Sequence, residues 1–379
     1  MLPPRLRPLL AALFLLASSC GPKERVVEVA VAVPLTGDMG TEGSGVRRAV
    51  ELAVEQANAS GRFPYRLETV LFDDRNEPRE AESVANLIAS DPRVAGVIGH
   101  YTSGCALAAA PIYARGRIPM LTPSATVPAL TARQLAKDWP GARVVFRLVA
   151  TDDMQGAFAA DYVLRRLKKR KVAVAHDGTE YGKGLAEQFE KTFTSLGGKV
   201  VFSEGVRPGQ KDFSELIGRL SSSQALFYGG AYPEAGLIVK KLRQTGSKIP
   251  FVSGDGARTA ELLDVAGELA DGAYATMVAA PVEKLPGSGA FVAAFRKRWP
   301  ESELRPFDHV AYEAAQTLFD ALAQSGREPG RDAVLAALRR TRRDGLLGRV
   351  SFDAKGDVEE RRVTMTRARV SDRSFAVVP

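Results

Sequence analysis

Side chains able to hold a small polar molecule gather at a few points of this sequence. Asp73-Asp74, His100-Tyr101-Thr102-Ser103-Gly104, Thr122 to Thr126, His176-Asp177-Gly178, Gly229-Gly230 and Gly254-Asp255-Gly256 carry hydroxyls, carboxylates and glycines in short runs. Brought together they would line a cleft with Ser, Thr, Tyr and Asp. Helices beginning beside them would offer unpaired N–H groups to an anion. Catalysis needs other arrangements, and those are missing. The three histidines, His100, His176 and His309, make no pair at metal-ligand spacing and read as structural. Ser103 fails the nucleophile elbow, because Tyr101 stands at its first glycine position and Cys105 at its last. The run Gly178 to Gly184 fails as a phosphate loop: Asp177 stands where the first glycine is needed, and Gly184 where Ser or Thr is needed. Gly40, Gly43 and Gly45 miss the dinucleotide spacing. The residues point to binding, with no metal, no cofactor and no enzymatic activity.

Each cluster follows an apolar run that must position it. Val26–Val33, Tyr65–Phe72, Val94–Ile98, Ile118–Leu121 and Val144–Leu148 read as strands. Pro34–Gly45, with four glycines, reads as a loop. Val46, Val50, Ala53 and Ala57 recur at helical spacing, and Pro78–Ser90 and Cys105–Arg115 read as helices. After the loop Thr122–Pro140 and the strand that follows it, the alternation restarts: helix Asp153–Arg170, strand Lys171–Ala175, helix Leu185–Leu196, strand Lys199–Phe202. A helix stripe of Phe213, Leu216, Ile217 and Leu220 comes next, then strand Ala225–Tyr228, helix Pro233–Gln244 and strand Ile249–Val252. Short apolar runs suit strands buried on both faces, and alternation implies parallel sheets covered by helices. Two α/β halves of similar size are expected, meeting near Arg147. The last third, from Met277, holds three helix candidates and the segment Arg349–Phe352. Its strands are too few for a third sheet, so the chain is expected to re-enter the first half. In open parallel sheets ligands bind outside the carboxyl ends of the strands, where the polar clusters fall.

The first twenty residues have a different purpose. Arg5 and Arg7 precede an unbroken apolar run, Leu9 to Ala17, and then Ser18-Ser19-Cys20-Gly21. The run spans only ~14 Å as a helix, about half of a bilayer core, so it reads as an export signal. Cys20 at the cleavage point resembles the lipobox of bacterial lipoproteins, in which that cysteine is acylated. The remaining cysteine, Cys105, then has no disulfide partner and reads as a small buried hydrophobe. No later segment has 18 consecutive apolar residues, so a lipid anchor is the only membrane attachment expected. The formal net charge is +8. The basic residues are scattered among acids, so nucleic acid is not an expected partner. The densest basic run, Arg165 to Lys171, sits at an expected helix end, where cations favour the dipole.

Seven segments carry a family resemblance in order: Val31–Gly37, Val97–His100, Thr122–Thr126, His176–Ala186, Lys211–Leu220, Phe227–Gly236 and Ser351–Asp357. Together they resemble the leucine/isoleucine/valine-binding proteins of ABC transporters, from Val26 to about Asp357. The resemblance implies the α/β fold of type I periplasmic-binding proteins. Two Rossmann-like lobes with parallel central sheets are joined by a three-crossover hinge. After the signal peptide read at 1–19, it implies a first lobe at 26–147 and 277–352, and a second lobe at 148–276 and 353–379. Carried over, Ser103 and the Ser124-Ala125-Thr126 segment would receive an α-carboxylate. Asp255 would face the α-ammonium, where the family's usual residue is Glu. Tyr181 would lie beside the ligand, with Tyr101 and Phe307 against its side chain. Two departures stand out. Ala231 occupies a position often aromatic in the family, which would enlarge the pocket or remove one hydrogen bond. Asn76 and Thr102 stand where some members have a disulfide.

The resemblance implies capture of an amino acid, branched-chain or aliphatic, by hinge closure, and its delivery to an ABC transporter permease. A monomer is expected. Three alternatives have distinct chemistry: a ligand sensor on the same fold, an exported hydrolase using Ser103 or Asp255, and a transporter receptor for an amide, urea or aromatic acid.

Overall fold

The computed structural model describes residues 25–207 and 209–379, so the leader and Cys20 lie outside the described residues. The first sheet is built from β1 (Val26–Val33), β2 (Arg66–Asp73), β3 (Val94–Gly99), β4 (Met120–Thr122) and β5 (Val145–Arg147). Its order is β2-β1-β3-β4-β5 and every pairing is parallel. Seven of the eight residues of β1 are buried, which is what a strand covered on both faces requires. Helices Gly40–Ala59, Pro78–Ser90 and Ser103–Gly116 connect these strands.

The second sheet contains β6 (Lys171–His176), β7 (Lys199–Gly205), β8 (Ala225–Gly229), β9 (Phe251–Ser253) and β10 (Tyr274–Met277), all parallel. A hairpin of β11 (Arg343–Gly345) and β12 (Gly348–Val350) stands apart. The chain then closes the second sheet with β13 (Thr364–Arg369) and β14 (Ser374–Val377), both antiparallel. The full order is β14-β13-β10-β9-β8-β6-β7. The parallel parts of the two sheets repeat one topology: β2-β1-β3-β4-β5 and β7-β6-β8-β9-β10. One apolar core unites the first sheet with helices Asp308–Gln324 and Arg331–Arg339, so the last third packs back onto the first lobe.

Three passages join the lobes: after β5, after β10, and between Val358 and β13. They lie side by side. The Ala150 amide donates to the Val278 carbonyl at 2.9 Å, and the Arg147 amide to the Gly356 carbonyl at 2.8 Å. Arg147 is fully buried where the passages meet. Its Nε and Nη2 donate to Asp357 Oδ1 at 2.9 and 2.7 Å. Nη1 donates to the Val127 carbonyl and Nη2 to Thr131 Oγ1, each at 2.7 Å. One guanidinium thus ties the first and third passages to the loop that follows β4.

Several elements differ from expectation. The segment Pro34–Gly45 is not loop throughout, because the helix that carries Val46 and Val50 already starts at Gly40. Its glycines serve close packing: a Cβ on Gly43 would lie 1.7 Å from the Pro34 carbonyl oxygen. The helix expected over Asp153–Arg170 ends at Asp161 and widens into a π-turn, Tyr162–Arg166. The stripe from Phe213 to Leu220 splits into a short α-helix, Ser214–Gly218, and a 3₁₀ turn. Arg349–Phe352 is represented by one strand of the separate hairpin.

Replacing Arg147 by Met leaves the Asp357 carboxylate buried without this partner. The expected loss is ~3–5 kcal/mol of unfolding free energy, read from urea denaturation, with much of it restored in Arg147→Met/Asp357→Leu. A single variant as stable as the parent would remove the pair from this role.

Candidate functional site

The switch points of the two sheets face each other across a cleft of about 230 Å³. This is below the ~300–1,000 Å³ of drug-sized sites and fits a compact solute. Met39, Tyr101, Ser103, Gly104, Cys105, Ser124 and Phe307 line it from the first lobe. Asp177, Thr179, Glu180, Tyr181, Ala231, Asp255 and Gly256 line it from the second. Each group sits just past a strand end or at a helix start, as parallel-sheet topology dictates.

The first wall is a set of donors. Helix Ser103–Gly116 begins at the cleft, and the amides of its first residues have no acceptor within the helix. Ser103 Oγ accepts from the Thr126 and Val127 amides, each at 3.3 Å, which leaves its own proton free to donate. Ser124 Oγ donates instead to the Tyr101 carbonyl at 2.7 Å. Tyr101 and Phe307 meet edge to face, with centroids 5.9 Å apart at 82°. With Met39 and Ala231 they form an apolar patch beside the donors.

The second wall is acidic. Asp255 is buried between Gly254 and Gly256. Its Oδ1 accepts from Gln155 Nε2 at 2.7 Å and from the Tyr181 hydroxyl at 3.0 Å. Among the described residues Oδ2 has no protein donor. Burial pushes the Asp255 carboxyl up to about 6, against these two hydrogen bonds, which lower it. Tyr181 also accepts from the Gly256 amide at 2.9 Å. The glycines are needed here: a Cβ on Gly254 would lie 2.4 Å from the Tyr181 hydroxyl oxygen. Gln155 Oε1 accepts from Thr276 Oγ1 at 2.7 Å and from the Asp255 amide at 3.1 Å. Asp152, in the same helix turn as Gln155, is fully buried, and burial with the nearby Asp255 raises its carboxyl well above the usual range. Asp177 accepts from the Thr179 amide and hydroxyl through one oxygen and from the Ala231 amide through the other, so it holds two wall loops together.

Most of the residues singled out from sequence therefore share this cleft. Tyr101, Ser103, Ser124, Tyr181, Ala231, Asp255 and Phe307 line it, and so do Asn76 and Thr102. Ala125 and Thr126 do not: both are buried behind the wall, where the Thr126 amide supports Ser103. Tyr181 orients Asp255 as well as facing the cavity. Sequence reasoning misses Gln155 and Met39. A glutamine in a helix and a methionine in a glycine-rich segment give no sequence signal of a site. Asp177 is visible as a strand-end residue, but nothing local assigns it a role. Cys105 is buried at the cleft, and burial pushes its thiol up to about 12. His100 is structural: its Nδ1 is 2.6 Å from Asp74 Oδ2 and its Nε2 is 3.0 Å from the Tyr113 hydroxyl.

The chain has relatives along nearly its whole length. The family model described as periplasmic binding protein matches residues 26–373. A Leu/Ile/Val-binding protein homolog 2 of Brucella abortus is 36% identical over 334 residues, covering 87% of each chain. The crystal structure of a leucine-binding protein from Thermotoga maritima superposes with a TM-score of 0.83 at 29% identity, covering 93% of this chain and 98% of that one. A branched-chain amino acid transporter substrate-binding protein from Streptococcus pneumoniae, solved in complex with isoleucine, also gives 0.83, at 26% identity, covering 93% and 99%.

The raised Asp255 carboxyl makes a stability prediction. Its folded-state value lies above the unfolded one, so the neutral form stabilises the fold at low pH, and that advantage is lost as pH rises through about 6. Asp255→Asn keeps an acceptor for Gln155 and Tyr181 without the charge. It is expected to stabilise the ligand-free protein by ~1–3 kcal/mol at pH 7.5, with the gain shrinking below pH 5, as read by denaturation at both pH values. Equal stability at pH 7.5 would show that the buried charge carries no such penalty.

Proposed function

The chain belongs to the periplasmic binding protein family, and we propose that it captures an amino acid between its lobes and presents it to an ABC transporter permease. The observation that carries this reading is the opposition of the two walls. A helix start and the Ser103 hydroxyl face the cleft from one lobe, and Asp255 with an uncommitted oxygen faces it from the other. A zwitterion satisfies both walls at once. The α-carboxylate takes Ser103 and the amides at the helix start, supported by Ser124, Ala125 and Thr126 behind them. The α-ammonium takes Asp255, which Tyr181 and Gln155 hold in place. Met39, Tyr101, Ala231 and Phe307 receive an aliphatic side chain, and leucine, isoleucine and valine are the first candidates. The names of the relatives support that choice.

Charge-assisted hydrogen bonds contribute ~1.5–3 kcal/mol each. Three or four, less the cost of ordering and closure, leave ~8 kcal/mol, a micromolar Kd. The ligand touches both walls only when the lobes are together, so it shifts the population toward the closed form. In this reading the moving bodies are 26–147 with 277–352 and 148–276 with 353–379. The receptor works as a monomer held to the membrane by acylated Cys20. Ala231, which presents only a methyl group to the cleft, leaves room for a larger side chain.

Calorimetry with L-leucine, L-isoleucine and L-valine is expected to give micromolar binding for at least one. Asp255→Asn is expected to weaken it at least a hundredfold and Ser103→Ala about tenfold. The ammonium needs ionised Asp255, whose carboxyl lies near 6, so this group must give up its proton when the ligand binds at low pH. Unaltered binding in Asp255→Asn would show the ammonium site to be elsewhere. Fatty-acid labelling of the expressed protein is expected to be lost in Cys20→Ser, with release into the soluble fraction.

A further inference from the structure

We propose that Glu42 is a proton-binding site in the interface between the lobes, and that the proton is a second ligand of the closed form. The proposal rests on the reading of the cleft as an amino-acid receptor that closes on its ligand. Glu42 lies in the first turn of helix Gly40–Ala59, just after the cleft residue Met39, and is 0% exposed. Neither of its carboxylate oxygens has a hydrogen-bond partner among the described residues. A buried carboxylate in that position takes up a proton when it can.

The groups around Glu42 leave it no cation of its own. Within electrostatic reach of it are Arg305, Asp308 and Tyr101 from its own lobe and Glu261 and Tyr232 from the second, with Arg48 beside Asp308. The Arg305 guanidinium is already committed to Glu261, an ion pair that crosses between the lobes. Asp308 Oδ2 accepts from the Arg305 amide at 2.9 Å, and its Oδ1 packs so closely on Gly45 that a Cβ there would come within 2.3 Å. Three carboxylates therefore share one inserted guanidinium, with Arg48 at the edge. A metal ion does not resolve the imbalance, since no group of three or more Asp, Glu, His or Cys suited to a metal occurs among the described residues. Tyr232, whose hydroxyl donates to the Asp38 carbonyl at 2.6 Å, closes the same contact from the second lobe.

Burial, and next the nearby Glu261, push the Glu42 carboxyl up to about 7. Opening the lobes removes Glu261 and Tyr232 and admits water, returning the carboxyl toward the ordinary value of 4.5. The closed-form value is the higher one. Protons therefore favour closure at low pH, and that advantage is lost as pH rises through about 7. Asp255 acts in the opposite direction and at lower pH, with its carboxyl near 6. Burial also raises the Asp308 carboxyl to about 7, but its Arg305 amide and Gly45 contacts stay within the first lobe on opening. His309, lowered to about 4, does not titrate in this window.

The test is calorimetry of the full exported chain with L-leucine, L-isoleucine and L-valine, in buffers of different ionisation enthalpy. Binding at pH 7 is expected to take up about 0.4 of a proton net of the release from Asp255, and affinity to rise about threefold from pH 8.5 to pH 6.5. Glu42→Gln is expected to abolish the uptake and to bind at pH 8.5 at least as tightly as the parent does at pH 6.5. Asp308→Asn is expected to retain the uptake. Amino-acid binding with no proton uptake by the parent overturns the Glu42 site alone, and so does uptake that persists in Glu42→Gln. Absence of binding by every amino acid overturns the receptor reading and this proposal with it.

Discussion

A charge buried where three passages of chain meet sets the terms for the whole molecule. Arg147 cannot be solvated in that position, so every donor of its guanidinium must find an acceptor inside the protein. Asp357 supplies the counter-charge from the third passage, and Val127 and Thr131 supply acceptors from the loop after β4. Arg361 and Lys355 add partners for Asp357 at 3.5 and 3.6 Å. Such a pair contributes little net stability over an apolar replacement, but it penalises any arrangement that separates its members. The loop it anchors carries Ser124 and Thr126, so the join between the lobes and the first wall of the cleft share one support.

The cleft is built on the contrary principle. Its charges are left without full partners inside the chain. Asp255 has one oxygen held and the other open, and Asp152 lies beneath it with Oδ2 unpartnered. A site of this kind is tolerable in an open cleft, where water serves, and in a closed one only when something compensates the charge. The direct polar contacts between the lobes are of unequal strength. The Arg373–Glu303 pair is exposed and therefore worth little. The hydrogen bond from Tyr232 is exposed as well, and the Arg305–Glu261 pair is better shielded. Closure thus depends on what fills the cleft, which is the condition for a receptor that responds to its ligand.

Strands are the most legible part of this sequence. β1 can be read to the residue because burial on both faces leaves an unbroken β-branched run, and Pro78–Ser90 is bounded by a proline at its first turn. The π-turn at Tyr162 is hidden because Phe158 and Tyr162 continue the helical period across it. β10 is four residues long and β13 pairs with it across a large sequence separation, so neither announces itself. Within the site, Ser103, Tyr181 and Asp255 can be found as strand-end or helix-start residues matching a family pattern. Gln155 cannot, because its bond to Asp255 spans 100 positions and nothing local to either residue encodes it. Glu42 is hidden for the same reason: an acid in the first turn of a helix is ordinary until the fold buries it without a partner and brings the charge of Glu261 within reach.

Both lobes carry the same strand order, so their edges are alike in shape, yet their chemistry is opposite. The first edge presents donors at a helix start, and the second presents a carboxylate. On the proposed reading this asymmetry selects ligands through their main chain. An acid without an amine satisfies the first wall and leaves Asp255 buried and unpaired on closure, and an amine without a carboxylate leaves the helix amides unmet. Failing to pair a buried polar group is penalised far more steeply than losing a methylene from an apolar contact, which changes affinity by only ~1–3 kcal/mol. Discrimination among aliphatic side chains by Met39, Tyr101, Ala231 and Phe307 is accordingly the weak part of the recognition, and discrimination for the α-amino acid backbone the strong part.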